Sequence, residues 1–430
     1  MIDQLLEWLD ESTCNVLAIN TIEAELKNAG FTELSMSQDW QILPGARHYV
    51  KQNGTAIFAF IQGNGTAPLP FHIISSHSDS PCFKLKPNCE IKCEGGLVKL
   101  NVEKYGGGIM YTWFDRPLSI SGRVALRGES PLTPELVSID FRRPVATIPH
   151  LAIHFNRAVN EGNPLSAQSD MLPVLGTFTD EELDNFDKEG GIIRSMIAKQ
   201  LQIDTEDILD YELCLYPVEP AGRTGLTGDL YQSARIDDLS MAFASLRALL
   251  DTADIDTEAT RVMAVFDNEE TGSGTKQGAG SPILAEILLR LTNGNPVMLS
   301  RSVAQSFMIS ADNAHAWHPN YNSKYDPTNH ALMGQGPAIK INANCKYMTD
   351  AESAAVFRAI CEEAEVPCQY FVNHSDVAGG STLGNILTGQ LPLRGVDMGA
   401  PIWAMHSARE TASCQDHEYI VAAFTRFYSL

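Results

Sequence analysis

The 430-residue chain contains no apolar run that approaches a membrane span, and it is poor in positive charge. Its 31 Lys and Arg stand against 53 Asp and Glu, a formal net charge of −22. A surface of that sign repels phosphate backbones and anionic headgroups, which argues against nucleic acid and membranes as partners. The nine cysteines are an odd number, scattered, without a C-x-x-C pair. Reduced thiols in a cytosol explain them better than a disulfide framework. The start, Met1-Ile-Asp-Gln-Leu-Leu-Glu-Trp-Leu-Asp10, is amphipathic and acidic and lacks the basic and apolar regions of a secretion signal. Low-complexity segments and internal repeats are absent too. A cytoplasmic protein is the expectation.

What remains is ordinary globular composition, 44% hydrophobic and 20% charged, in a chain too long for one ordinary core. Helical segments near 2–12 and 16–29 precede strand-like Ala56–Phe60 and Phe71–Ile74. Between roughly 90 and 215 the texture changes to short alternating runs. Leu97–Val102 and Leu118–Leu126 there predict antiparallel strands. From about 235 onward helices and strands alternate again, as in a sheet covered by helices. Thr349-Asp-Ala-Glu352 reads as a capping box that opens a helix through Ala364. The expected fold is α/β, with a mixed sheet covered by helices and interrupted by a mainly-β insertion. The expected boundaries are 1–90 and 216–430 for the interrupted domain and 91–215 for the insertion.

Candidate chemistry gathers where apolar runs stop. Val265-Phe-Asp-Asn-Glu-Glu-Thr-Gly-Ser-Gly274 is a strand pattern that ends in two adjacent carboxylates. Such a pair is costly to desolvate unless compensated. A divalent metal does this well, one Glu ligating the ion and its neighbour serving as general base. Phe71-His-Ile-Ile-Ser-Ser76 is followed by His77, Ser78 and Asp79. Two-residue strand periodicity would place Asp79 behind the His77 ring as an orienting carboxylate. Phe307–Ala311 ends in Asp312, Pro401–Met405 leads into His406, and Asp237-Asp238 precedes a helical run. Each has a plainer reading, Asp312, Asp237 or Asp238 as a helix cap and a lone His as a loop residue. The set outweighs them. Mixed imidazole and carboxylate donors suit zinc, manganese or cobalt, and five or six of them exceed what one tetrahedral ion needs. A two-metal site with a bridging Asp is the inference.

These blocks resemble the aspartyl aminopeptidase family of dinuclear zinc exopeptidases over nearly the whole chain. The matching runs are Ser76-His-Ser-Asp-Ser-Pro81, Arg235-Ile-Asp-Asp-Leu239, Phe266–Ser273, Ser310–Tyr321, Gly336–Asn342 and Ala404-Met-His-Ser-Ala-Arg-Glu410. The resemblance implies His77, Asp237, Glu270, Asp312 and His406 as ligands of two divalent ions, with Asp237 bridging. It implies Glu269 as general base for a metal-bridging water, and Asp79 as the residue that orients His77. Two departures stand out. Asp238 follows the bridging Asp where the family often has Asn, and Gly379-Gly380 precede Ser381-Thr-Leu-Gly384 where it often has Cys-Gly.

The same resemblance places Lys340, Tyr347 and His315 near an acidic substrate side chain. It also makes His154 a residue lent to the neighbouring subunit, with His150 as a competitor in the same segment. Lys340 is unusual by itself, because a Lys within apolar Ala338–Ile341 must reach solvent, a partner or a ligand. The implied protein is a cytosolic aminopeptidase that releases N-terminal Asp or Glu from peptides with a free N-terminus. Its implied assembly is a homododecamer built from dimers through the inserted domain. The rivals are an aminopeptidase preferring neutral residues, a dinuclear hydrolase of other amides or phosphates, and a metal-bound scaffold. A phosphate-cleaving site would need a cationic clamp, for which only Lys340 and Arg235 lie near the motifs.

Overall fold

The computed structural model describes residues 1–430, which divide into two compact units. The first comprises Met1–Asp79, Ala221–Met405 and Glu410–Leu430, and the second Ser80–Pro220 with His406–Arg409. The second unit is wider than the expected 91–215. Its first strand, Cys82–Lys92, begins directly after the turn that follows His77.

The first unit is organised by a nine-stranded mixed sheet. Its strands are β1 (Thr32–Glu33), β2 (Arg47–Gln52), β3 (Ala56–Ile61), β4 (Phe71–His77), β5 (Thr260–Phe266), β6 (Phe307–Ala311), β7 (Ala338–Ile341), β8 (Gln369–Val372) and β9 (Arg394–Gly399). The spatial order is β1-β2-β3-β5-β4-β6-β9-β7-β8. The central strands β5, β4, β6 and β9 run parallel to one another, and β3 and β7 flank them antiparallel.

Both faces of this sheet are covered, which is why its strands read as near-continuous apolar runs rather than alternating ones. Ile57, Ala59, Ile61, Ile74, Met263 and Val265 pack into one core with helices that include Ile2–Glu11, Asn15–Asn28, Ile236–Asp251 and Cys414–Tyr428. Their strand neighbours Phe58, Phe60, Ile73, Val262, Ala264 and Phe266 point the other way, into a core closed by Ile283–Leu291 and Leu383–Leu387. Each fully buried Ile, Val, Met or Phe side chain among them contributes roughly 1.5–3 kcal/mol. The layered sheet therefore supplies a rigid base at the point where its strands end.

One local expectation is displaced. The helix Ala351–Glu363 is capped by Asp350, whose side chain accepts from Ser353 N while Ser353 Oγ accepts from Asp350 N. Thr349, the expected cap, is engaged elsewhere, its Oγ1 accepting from Asp397 N at 2.9 Å. A tertiary contact has moved the box by one residue.

The second unit carries a six-stranded antiparallel sheet in which Leu118–Ser130, Ile208–Pro217, Cys82–Lys92 and Leu97–Tyr105 are consecutive neighbours. Helices Asp180–Lys188 and Ile192–Leu201 accompany it, and Phe83, Trp113, Ile120, Ile197 and Leu213 lie in its own core. No helix in the chain is long and apolar enough to cross a membrane.

Candidate metal centre

Three adjacent parallel strands deliver the site. β5, β4 and β6 lie side by side, with Phe266 paired to His77 at their ends. His77 is the last residue of β4, Asp312 follows the last residue of β6, and Glu269-Glu270 form a tight turn just beyond β5. The carboxyl ends of parallel strands are where open α/β sheets build sites, since the strands stop there while the covering layers continue. Asp237 arrives from a different element. The helix Ile236–Asp251 opens with Arg235 at φ 62°, and Asp237 and Asp238 keep non-helical angles before the regular turns begin. Asp237 N donates to Glu410 Oε2 at 3.0 Å, which fixes the backbone from below.

His77, Asp237, Asp238 and Asp312 are all buried and offer ligand atoms within 4.8 Å of one another. Asp237 and Glu270 are likewise within that distance. His77 Nε2 lies 3.8 Å from Asp237 Oδ1. On its far side, His77 Nδ1 is 3.0 Å from the Asp79 carbonyl and 3.3 Å from Asp79 Oδ1, so Nε2 is the nitrogen left to face the carboxylates. Asp79 has a second task that strand periodicity did not reveal. Its two oxygens accept from Glu269 N at 3.1 Å and Glu270 N at 3.2 Å, pinning the turn that carries both glutamates. His406 begins the four-residue stretch that belongs to the second unit.

The charge balance calls for a cation. Burial and the neighbouring Asp312 and Asp237 hold Asp238 well above the usual carboxylate range, although His77 pulls it down. Glu269 is pushed up to about 8 by burial, with Asp312, Asp237 and Asp79 adding to the effect and His77 opposing it. Burial would lower His77, but Asp238, Asp79 and Glu269 outweigh that and raise it. Carboxylates crowded this closely ionise together only beside compensating positive charge. An imidazole with several carboxylates, buried and mutually within one ion's reach, fits a divalent metal of the zinc type.

The departure at Asp238 acquires a position: its Oδ2 accepts from His77 N at 3.1 Å, so it braces the backbone of a candidate ligand. The Gly379 departure also has a local counterpart. A Cβ at Gly379 would lie 1.9 Å from Asn373 Nδ2, so the amide occupies the space a larger residue would need.

Comparison with known proteins agrees with this chemistry. Residues 8–428 match the family model described as aminopeptidase I zinc metalloprotease (M18). The chain belongs to the M18 peptidase family. A "Probable M18 family aminopeptidase 2" of Clostridium novyi is 44% identical over 100% of this chain and 98% of its own length. Among solved structures, that of the Ape4 and Nbr1 complex is 33% identical, with a TM-score of 0.95 over 99% of this chain and 85% of the other. The mApe1 dodecamer of S. cerevisiae is 25% identical, with a TM-score of 0.86 over 99% and 95%. This M18 chain is therefore a zinc aminopeptidase by family, and its buried His and Asp cluster is of the kind that holds the metal.

Around that centre the remaining expected residues are distributed unevenly. Lys340, on β7, is buried, and its Nζ donates to Asp312 Oδ1 at 3.1 Å. It lies 5.7 Å from the centre of the Tyr347 ring, which is also buried. Asp312 and its neighbours raise Lys340 further although burial opposes them, so it stays an ammonium. His315 is exposed and sets its ring edge-on to Phe371 at 5.8 Å. His154 and His150 lie on an exposed segment of the second unit, beside exposed Leu151, Ile153 and Phe155. Arg235 donates to the carbonyls of Ser12 and Leu9 and thus ties down the N-terminal helix.

Two buried residues escaped sequence reasoning. Asp397, on β9, accepts from Met348 N and from Thr382 Oγ1, both at 2.6 Å, and so fastens the Tyr347 segment to the Ser381–Gly384 turn. A Cβ at Gly384 would lie 2.6 Å from its carboxylate, which explains the glycine. Asn313 donates to Ala400 O and accepts from Ser240, joining the Asp312 loop to the Asp237 helix. Each is an ordinary polar residue after or within an apolar run, and no spacing rule separates it from a cap.

Proposed function

We propose that this M18 aminopeptidase removes N-terminal Asp or Glu from peptides, with His77, Asp237, Glu270, Asp312 and His406 holding two divalent ions and Asp237 shared between them. The observation that carries the reading is the delivery of His77, Glu269-Glu270 and Asp312 by three adjacent strand ends onto Asp237. The ions, when bound, supply Lewis acidity to the scissile carbonyl and to the attacking water. The chain does the rest. Glu269 accepts the proton of the water and returns it to the leaving amine, and divalent charge nearby lowers its otherwise raised pKa to a working range. Asp79 holds both the His77 ring and the Glu269-Glu270 backbone, so base and ligands share one brace. Glu269 and Glu270 are adjacent but differ in task, one kept for the proton and one for the metal.

Support for an acidic first residue comes from the Lys340 ammonium, buried at the edge of the carboxylate cluster beside Tyr347, with His315 on the same loop as Asp312. A phosphate-cleaving reading lacks a second arm for its clamp, because Arg235 is engaged by the carbonyls of Ser12 and Leu9. The exposed apolar side chains flanking His154 support a homo-oligomer in which the second unit meets a partner and lends it that histidine. A dodecamer, as in the S. cerevisiae relative, and a cytosolic setting complete the proposal.

The test is a panel of peptides differing only in the first residue, assayed with zinc-loaded protein. Highest kcat/KM on Asp or Glu is the expected outcome. Faster turnover of Leu or Ala would replace it with a neutral aminopeptidase of the same mechanism.

A further inference from the structure

The helix Ala351–Glu363 ends by turning the chain back on itself. Glu365 takes φ 57°, its N donates to Glu362 O at 3.1 Å, and Val366 N donates to Cys361 O at 2.9 Å. Those two bonds make a Schellman arrangement, which reverses the chain within a few residues and is commonly followed by proline, here Pro367. Cys368 comes next, directly ahead of β8. The reversal brings it back beside Cys361, and the two thiols share a hydrogen bond. Spacing does not announce the pair, because its members stand further apart in the chain than those of a C-x-x-C motif.

The two sulfurs differ in setting. Cys361 is buried within the core that the helix shares with the sheet. Cys368 is half-buried at the edge of the same core. Arg358 precedes Cys361 by three residues on the helix, so the two leave from neighbouring positions on one face. Its guanidinium lies 5.9 Å from the centre of the Tyr370 ring and so reaches over the strand that Cys368 leads into. The hydrogen bond from Cys361 holds the Cys368 thiol below its ordinary value, with Arg358 helping and burial opposing. The same bond, together with burial, raises Cys361. Cys361 is thus the S–H donor, and Cys368 is the sulfur that accepts. Core packing uses cysteine as a small apolar residue and needs neither the sulfur contact nor the guanidinium. A partly exposed thiol near a cation, with a second thiol in contact, suits oxidation followed by resolution.

We propose that Cys361 and Cys368 form a reversible disulfide when the protein meets a hydroperoxide, with Cys368 attacking and Cys361 resolving. The Cys368 thiolate attacks the outer oxygen of the hydroperoxide. The O–O bond breaks with its electron pair on the leaving oxygen, which takes up a proton and departs as water or alcohol. Cys368 is then a sulfenic acid. The Cys361 sulfur attacks that sulfur, the Cys361 proton leaves with the hydroxyl as water, and the S–S bond closes. Two thiols are oxidised and one hydroperoxide is reduced. The disulfide also keeps Cys368 from irreversible further oxidation. None of the candidate metal ligands takes part, so the step does not depend on the peptide substrate.

The test treats the full chain with hydrogen peroxide, blocks the remaining thiols and digests the protein unreduced with trypsin and a Glu-specific protease. Glu362, Glu363 and Glu365 lie between the cysteines, so the two peptides stay joined only through a disulfide. Mass spectrometry should find them joined, with the loss of two hydrogens, and dithiothreitol should part them. Cys361→Ala should stop at a sulfenic acid on Cys368, captured by dimedone, whereas Cys368→Ala should leave Cys361 unmodified. Arg358→Gln, at an exposed position, should slow the joining severalfold. The proposal is overturned if the two peptides stay separate while exposed Cys93 and Cys345 are oxidised, or if dimedone marks Cys361 in Cys368→Ala. An unchanged rate in Arg358→Gln, a surface variant that leaves the core intact, overturns it equally.

Discussion

Replacing Lys340 by Met separates the ion pair it makes with Asp312 from the substrate contact proposed for it. Lys340 and Asp312 have side chains only 4% and 11% exposed, and their 3.1 Å contact is a buried ion pair. Removing one partner of such a pair costs about 3–5 kcal/mol, because the other charge stays buried without compensation. In chelated Lys340→Met protein the first unit should melt lower by on the order of 5–10 °C. Zinc should recover most of that loss, since the ion then neutralises Asp312. Asp312→Asn added to Lys340→Met should recover stability without metal. On zinc-loaded enzyme, kcat/KM for an N-terminal Asp peptide should fall about tenfold to hundredfold, matching roughly 1.5–3 kcal/mol for a lost charge-assisted bond. An N-terminal Leu peptide should lose little. Calorimetry with and without chelator and steady-state kinetics on the two peptides measure both effects. Equal losses on both peptides would refute a specificity role and leave Lys340 as the counter-ion of Asp312 alone.

Glu269→Gln should keep metal content and melting temperature while kcat drops by several orders of magnitude, measured by metal analysis beside turnover; loss of metal would show that Glu269 and Glu270 have been assigned in reverse. Asp79→Asn should lower kcat without abolishing metal binding, because the amide keeps the shape but weakens the hold on the Glu269 and Glu270 amides; a variant with wild-type kcat would remove the brace from the mechanism. Burial holds His72 down to about 4 and His417 down to about 3, whereas the unfolded chain protonates them near 6.5. Their contribution is present above about pH 6.5 and is lost as pH falls toward 4 and 3, by at most ~3 kcal/mol for His72. Denaturant titrations at pH 7, 6 and 5 should show this slope, and His417→Leu should flatten it; an unchanged slope would mean that His417 is not the titrating group.

Much of the site was legible because buried parallel strands leave an unmistakable trace. A strand covered on both faces must be apolar throughout, so β4, β5 and β6 stand out as runs, and the polar residues that end them stand out in turn. His77, Glu269, Glu270 and Asp312 could be picked from the chain for that reason. Their adjacency could not. β5 lies between β3 and β4 in the sheet, although β3 and β4 are close neighbours in the chain, and no local pattern specifies that insertion.

The residues by themselves determined which chemistry was available: apolar runs with carboxylate and imidazole ends. The partners were decided by tertiary structure. Lys340 stands out within an apolar strand, but only the packing of β7 near the end of β6 shows that Asp312, 28 residues earlier, answers its charge. Thr349 has the composition of a helix cap, and contact with Asp397, 48 residues on, takes it away. Asp79 lies two residues from His77, yet its bonds to Glu269 and Glu270 span some 190 residues. Local pattern follows from the energetics of a few successive residues, whereas burial of a charge is decided by whatever the fold brings against it, and that partner carries no mark in the sequence.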